Sequence, residues 1–117
     1  MRVHIIGIGL IGGSMALGLK KAFPEVEITG SDCSDEHLEL AKQRGLIDHS
    51  APLEEVANAG VVIVAVPVDV APELVGRVLS FVGADTLVFD AGSTKGKLCA
   101  AISEHPNRRN FLAAHPI

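Results

Sequence analysis

The sequence has no tryptophan and no tyrosine, and only four phenylalanines among its 117 residues. With so few flat rings for bases to stack on, single-strand nucleic-acid binding is disfavoured. The formal charge of −4 points the same way, because nucleic-acid binders carry a basic footprint. Two cysteines, Cys33 and Cys99, make no disulfide framework, and a domain of this size needs none. Each reads as a free thiol. There is no Cys-x-x-Cys, and no two of the five histidines stand at helical ligand spacing with an acid between them, so a metal site has little support. Internal repeats, low-complexity tracts and linkers are also missing. The apolar run from Val3 to Leu19 could be mistaken for a signal peptide or anchor. Glycines at 7, 9, 12, 13 and 18 interrupt it, however, and it has no clear small-residue cleavage site and is short for a span. The chain reads as one soluble, cytosolic domain with no nucleic-acid or membrane partner.

What is present begins with an apolar content of 48%, concentrated in Val/Ile/Leu runs that suit a parallel sheet covered on both faces. The first such run, Val3-His4-Ile5-Ile6, leads directly into Gly7-Ile8-Gly9-Leu10-Ile11-Gly12-Gly13-Ser14. This is a G-x-G-x-x-G loop. In such a loop Gly7 lets the strand turn sharply, Gly9 lets the backbone approach a pyrophosphate, and Gly12 lets the following helix pack close to the strand. The helix from near Leu10 aims its free N–H groups and positive dipole end at the phosphates. The pattern alone is weak, but Glu27-Ile28-Thr29-Gly30-Ser31 reads as the next strand and Asp32 follows it, about 20 residues past Gly12. That is the spacing expected of a carboxylate reaching the ribose hydroxyls. The bland alternative is a glycine-rich turn that binds nothing, with Asp32 an ordinary loop acid.

The rest of the chain continues the alternation. Leu10 to Phe23 is helix-compatible and ends at Pro24. Ser34 suits an N-cap, with Asp35, Glu36 and Glu39 after it and Gly45 as the stop. Residues 46–50 have room only for a very short strand, and Pro52 opens a short helix. Val61 to Val66 is the clearest strand and belongs at the buried centre of the sheet, ended by Pro67. Val70, Leu74, Val75, Val78, Leu79 and Val82 lie at helical spacing. Residues 86–89 form another strand, a helix runs from Ser93 or Thr94 to about Ser103, and 111–114 form a last strand. Strands alternating with helices predict an α/β, doubly wound parallel sheet of about six strands in the order 3-2-1-4-5-6, a Rossmann fold over residues 1–117.

Parallel strands end on one edge, so Gly7, Asp32, Pro67, Asp90 to Ser93 and His115 should line a single rim. Four of the five histidines have plain explanations: His4 as a packed or edge residue, His37 and His49 as solvent-exposed, and His105 as a helix C-terminal cation. His115 differs, because an imidazole on that rim can take the proton of a substrate hydroxyl while the neighbouring carbon loses hydride; its position alone fits a surface histidine at a chain end equally well. Ser93 suits an N-cap and also a hydroxyl facing the nicotinamide.

These residues resemble a known family. The glycine loop, the Ala65-Val66-Pro67 strand end, Asp90-Ala91-Gly92-Ser93-Thr94-Lys95-Gly96 and Ala114-His115-Pro116-Ile117 are similar, in order and spacing, to the nucleotide-binding domain of the prephenate dehydrogenases, with the arogenate dehydrogenases as close kin. The resemblance implies oxidative decarboxylation of prephenate to 4-hydroxyphenylpyruvate with NAD as acceptor. It gives His115 the role of drawing off the ring hydroxyl proton and Ser93 that of holding the histidine, hydroxyl and nicotinamide in register. Gly7, Gly9, Leu10, Ile11, Gly12, Val66 and Pro67 would line the cofactor, and Asp32 would hold the adenosine ribose. Full-length relatives continue with a helical domain that binds the substrate and forms a homodimer. The expectation is therefore a fragment or truncated product that binds cofactor with little turnover. Two rival readings remain: another NAD(P)-dependent dehydrogenase, of arogenate or hydroxyacid type, and a non-catalytic NAD-sensing domain.

Overall fold

The structure is a computed structural model and describes residues 2–66, 70–82, 86–90 and 111–113. Extended and helical segments alternate along it: β1 (Arg2–Ile6), α1 (Leu10–Ala22), β2 (Glu27–Ser31), α2 (Asp35–Gln43), β3 (His49–Ser50), a 3-10 helix (Leu53–Asn58), β4 (Val61–Val64), α3 (Ala71–Phe81), β5 (Leu87–Asp90) and β6 (Phe111–Ala113). The strands form one sheet in the order β3-β2-β1-β4-β5-β6, and every pairing is parallel. The expected doubly wound order is therefore observed, and parallel neighbours require crossovers that return each strand to the same direction.

Side chains alternate across a strand, so each apolar strand feeds two cores. Val3 and Ile5 of β1, Ile28 of β2 and Ile63 of β4 pack with Ala16 of α1 and Ala41 of α2. Ile6, Val62, Val64 and Val88 pack on the opposite face with Val75, Val78 and Leu79 of α3 and Val56 of the 3-10 helix. His4 shares that second face with Ile6. It is 1% exposed, with Nδ1 2.7 Å from the Thr29 hydroxyl and Nε2 3.1 Å from the Ser31 hydroxyl. It is a packed residue, as expected. Burial lowers its pKa to about 4, because a charged imidazole has no water there.

Several boundaries differ from the sequence reading. β4 stops at Val64 rather than Val66, because its partner β1 ends at Ile6, opposite Val64, and turns away at Gly7. One further bond, from Ala65 N–H to the Ile6 carbonyl at 2.8 Å, closes the ladder. The short helix after Pro52 is of 3-10 type, with Pro52 as its N-cap. Val70 does not join the buried face of α3. It is the N-cap of that helix and 50% exposed. Ser34 caps α2 as expected, its hydroxyl accepting from the His37 N–H at 3.3 Å. Gly45 follows the helix at φ 71°, the left-handed conformation that glycine adopts without strain. Cys33 is a free, exposed thiol. The helix expected from Ser93, and Cys99 and His105, lie outside the described residues. No helix among the described residues is long and apolar enough to cross a membrane.

Candidate functional site

The loop after β1 is built by demands of two kinds. Gly7 has φ 91°, and a Cβ there would run into the Ala65 carbonyl oxygen. A Cβ on Gly12 would run into the Gly7 carbonyl oxygen. Both glycines are therefore required by the fold itself, which brings α1 hard against the end of β1. Gly9 is different. Its φ of −86° is not in the left-handed region, and a Cβ there would meet no described atom within 4 Å. No described neighbour demands the missing Cβ at this position, and the room it leaves is what the close approach of a phosphate requires.

Gly9 is also the N-cap of α1. No side chain caps that end, and the first turn carries no acid, whereas the last turn carries Lys20 and Lys21. The N–H groups of the first helical turn, on Leu10, Ile11 and Gly12, have no partner within a helix. The first turn itself thus offers its dipole end no anionic side chain. Donors and field together fit a pyrophosphate group.

Asp32 follows β2, the strand beside β1, and its carboxylate is drawn toward this loop. Oδ2 accepts from the Ile8 N–H at 2.7 Å, and Oδ1 accepts from the Ser34 N–H at 2.8 Å. The His37 Nδ1 stands 3.5 Å from Oδ2, and the Asp32 side chain is 8% exposed. Burial pushes this carboxyl upward, but the Ser34 and Ile8 N–H groups and the His37 imidazole outweigh it and hold the pKa below its ordinary value. The acid is ionised and fixed. Ile8 itself is buried: its Cδ1 lies above Gly30, where a Cβ would come within 3.0 Å of it. Burying such a side chain contributes roughly 2 kcal/mol. The loop is thus pinned by the Ile8 side chain, by the Ile8 N–H and by the Gly7 N–H, which donates to the Ser31 carbonyl at 2.8 Å.

The register carries the rim across the sheet. Ile6 pairs with Ser31 and with Val64, Val64 with Asp90, and Asp90 with Ala113, so β1, β2, β4, β5 and β6 all end at one level. Gly7, Gly9, Gly12, Asp32 and the backbone of Leu10 and Ile11 come together at the β1–β2 part of that edge. Val66 is half-buried and packs against the core on the α3 side; a Cβ on Gly7 would lie 3.1 Å from its Cγ1. Pro67, Ser93 and His115 lie outside the described residues. Two clefts open beside the loop. One, of about 600 Å³, runs between α1 and α2 and includes Ile8, Gly9, Ser14, His37 and Arg44. The other, of about 300 Å³, includes Ser31, Asp32, Ser50 and Pro52.

Two contributors escaped the sequence reading. Ile8 was legible as an apolar residue between loop glycines, a position that a solvent-facing loop would not favour. His37 is exposed as expected, but its contact with Asp32 had only a faint signal, its place three residues after an N-cap serine.

A doubly wound parallel sheet with an uncapped glycine-loop helix and an acid at the end of β2 defines a Rossmann-type dinucleotide-binding domain. A family model described as the nucleotide-binding domain of prephenate dehydrogenase matches residues 15–117, and the chain belongs to this family. Prephenate dehydrogenase of Lactococcus lactis is 41% identical over 99% of this chain and 34% of its own length. That of Bacillus subtilis is 37% identical over 98% of this chain and 32% of its own. The crystal structure of prephenate dehydrogenase from A. aeolicus, in complex with hydroxyphenyl propionate and NAD+, superposes with a TM-score of 0.88 at 30% identity. It covers all of this chain, which covers 42% of it. The chain thus spans about a third of the length of the curated relatives it matches.

Proposed function

We propose that the chain binds NAD and forms the cofactor half of a prephenate dehydrogenase, the enzyme that oxidatively decarboxylates prephenate to 4-hydroxyphenylpyruvate. The observation that carries this reading is the fixed Asp32 carboxylate, bonded to the glycine loop through the Ile8 N–H and one strand away from the uncapped start of α1. The N–H groups of the loop and first turn, at Gly9, Leu10, Ile11 and Gly12, hold the pyrophosphate, and Asp32 takes the adenosine ribose. A carboxylate there repels a 2′-phosphate, which favours NAD over its phosphorylated analogue. Gly7 shapes the turn, and Val66 and Pro67 border the cofactor at the end of β4.

NAD, when bound, supplies the acceptor for the hydride lost from the ring carbon. His115 takes the proton of the hydroxyl on that carbon, and Ser93 holds the imidazole in register. Decarboxylation then gives an aromatic ring, which makes the step effectively irreversible. The NAD assignment is supported by the family and by the NAD+ complex of the A. aeolicus relative, and a reaction that yields 4-hydroxyphenylpyruvate is a step of tyrosine synthesis. The substrate-binding and dimer-forming parts belong to a further helical domain, in keeping with the share of the relatives that this chain spans. The working site is the cytoplasm.

Calorimetric titration of the chain with NAD tests the reading. Saturable binding is expected, and a folded chain that binds no NAD would sink it. Prephenate and NAD added together should yield little or no NADH. Brisk turnover would contradict the division into two domains and leave the cofactor assignment standing.

A further inference from the structure

The start of α2 has an unusual division of labour. Ser34 is its N-cap, and His37 occupies the third helical position. In a capping box the side chain at that position reaches back to the N–H of the cap residue. Here the Ser34 N–H is already taken by Asp32 Oδ1 at 2.8 Å. The imidazole turns instead to the acid itself, with Nδ1 3.5 Å from Oδ2. An ionised carboxylate accepts about four hydrogen bonds, two per oxygen. The Ile8 N–H takes one place on Oδ2, the His37 imidazole stands over the other at 3.5 Å, and the Ser34 N–H takes one of the two places on Oδ1. Only one place is left clear of a neighbour, whereas a ribose diol that binds a carboxylate through both hydroxyls needs two.

His37 is the partner that can yield. The two backbone donors are fixed by the glycine loop and by the helix start, while the His37 side chain is 54% exposed and its contact with the carboxylate is long. The same imidazole lines the cleft between α1 and α2, where Arg44, two turns further along the same helix, is the other basic residue. From α1 that cleft receives Gly13, Ser14 and Leu17, none of them charged.

We propose that His37 is a specificity-determining residue of the cofactor site: it competes with the adenosine ribose for Asp32 and, with Arg44, gives that site a basic flank that softens the exclusion of a 2′-phosphate. This rests on the NAD-binding reading above and adds the residue that sets how strict the preference is.

The test is calorimetric measurement of NAD and NADP affinities, at one ionic strength, for the unchanged chain, His37→Ala and His37→Gln. An exposed pair of this kind is worth up to about fivefold in affinity. His37→Ala should therefore bind NAD about two- to fivefold more tightly and NADP several-fold more weakly, widening the preference by roughly tenfold. His37→Gln restores an N–H donor without a basic group. It should bring NAD affinity back toward the starting value while NADP binding stays weak. An unmoved NAD-to-NADP ratio in His37→Ala, equal changes in both affinities, or a Gln variant that matches the Ala variant toward NAD each overturns the proposal. If the unchanged chain binds neither cofactor, the NAD reading fails and takes this one with it. The two failures are thereby told apart.

Discussion

Acidification should weaken the fold through one residue, His4. The imidazole is 1% exposed, with its two nitrogens against the hydroxyls of Thr29 and Ser31, so a second proton would place a charge where no water reaches it. Its pKa falls from 6.5 to about 4 on folding. The unfolded chain therefore binds a proton more readily than the folded one. Stability is fully present above pH 6.5, is lost progressively as the pH falls toward 4, and loses nothing further through this group below that. Each tenfold difference in proton affinity is about 1.4 kcal/mol, so the whole window is worth roughly 3 kcal/mol. For a domain whose total stability is of order 5–15 kcal/mol, that is a large share. Asp32 and Asp48 also have lowered pKa values, but their contributions disappear below the ordinary carboxylate range, at more acid pH than the His4 window. Urea unfolding at pH 7.5, 5 and 4 should show the loss in the unchanged chain. His4→Leu, though less stable at pH 7.5 because two hydroxyls lose their partner, should lack the decline between pH 6.5 and 4. The same decline in both proteins would refute the reasoning.

The two loop glycines should respond in opposite ways. Gly12→Ala drives a Cβ into the Gly7 carbonyl oxygen and should cost about 1–3 kcal/mol or more in urea unfolding, as overpacking does, whereas Gly9→Ala should leave stability within about 1 kcal/mol and still weaken NAD binding at least tenfold by calorimetry. Asp32→Asn places an amide where two backbone N–H groups need acceptors; it should destabilise by roughly 1–3 kcal/mol and narrow the preference for NAD over NADP, and an unchanged preference would remove Asp32 from the ribose role. His115→Ala in a chain carrying the helical domain should abolish most prephenate turnover while NAD affinity holds, and full turnover would end its assignment as the proton acceptor.

The sheet was legible because parallel strands buried on both faces are continuous apolar runs, and Val61 to Val64 could hardly be placed elsewhere than at its centre. The ends of elements were less so. Nothing in Ala65-Val66 marks the end of β4; pairing stops there because β1, distant in sequence, turns at Gly7. Similarly, Val70 fits the spacing of an apolar helix face, yet it sits outside the first turn, where that face does not reach.

By itself the sequence determined the class of site, since glycines at 7, 9 and 12 and an acid about 20 residues further on are a pattern local enough to read along one chain. Tertiary structure alone decided which glycine serves the fold and which leaves room for a ligand, because that depends on what each absent Cβ would touch. It decided too that Asp32 is held by the Ile8 N–H and that His37, bland in the sequence, meets the same carboxylate. Spacing along a chain orders the residues of a site, but only the approach of β1, β2 and α2 fixes which donor reaches which acceptor.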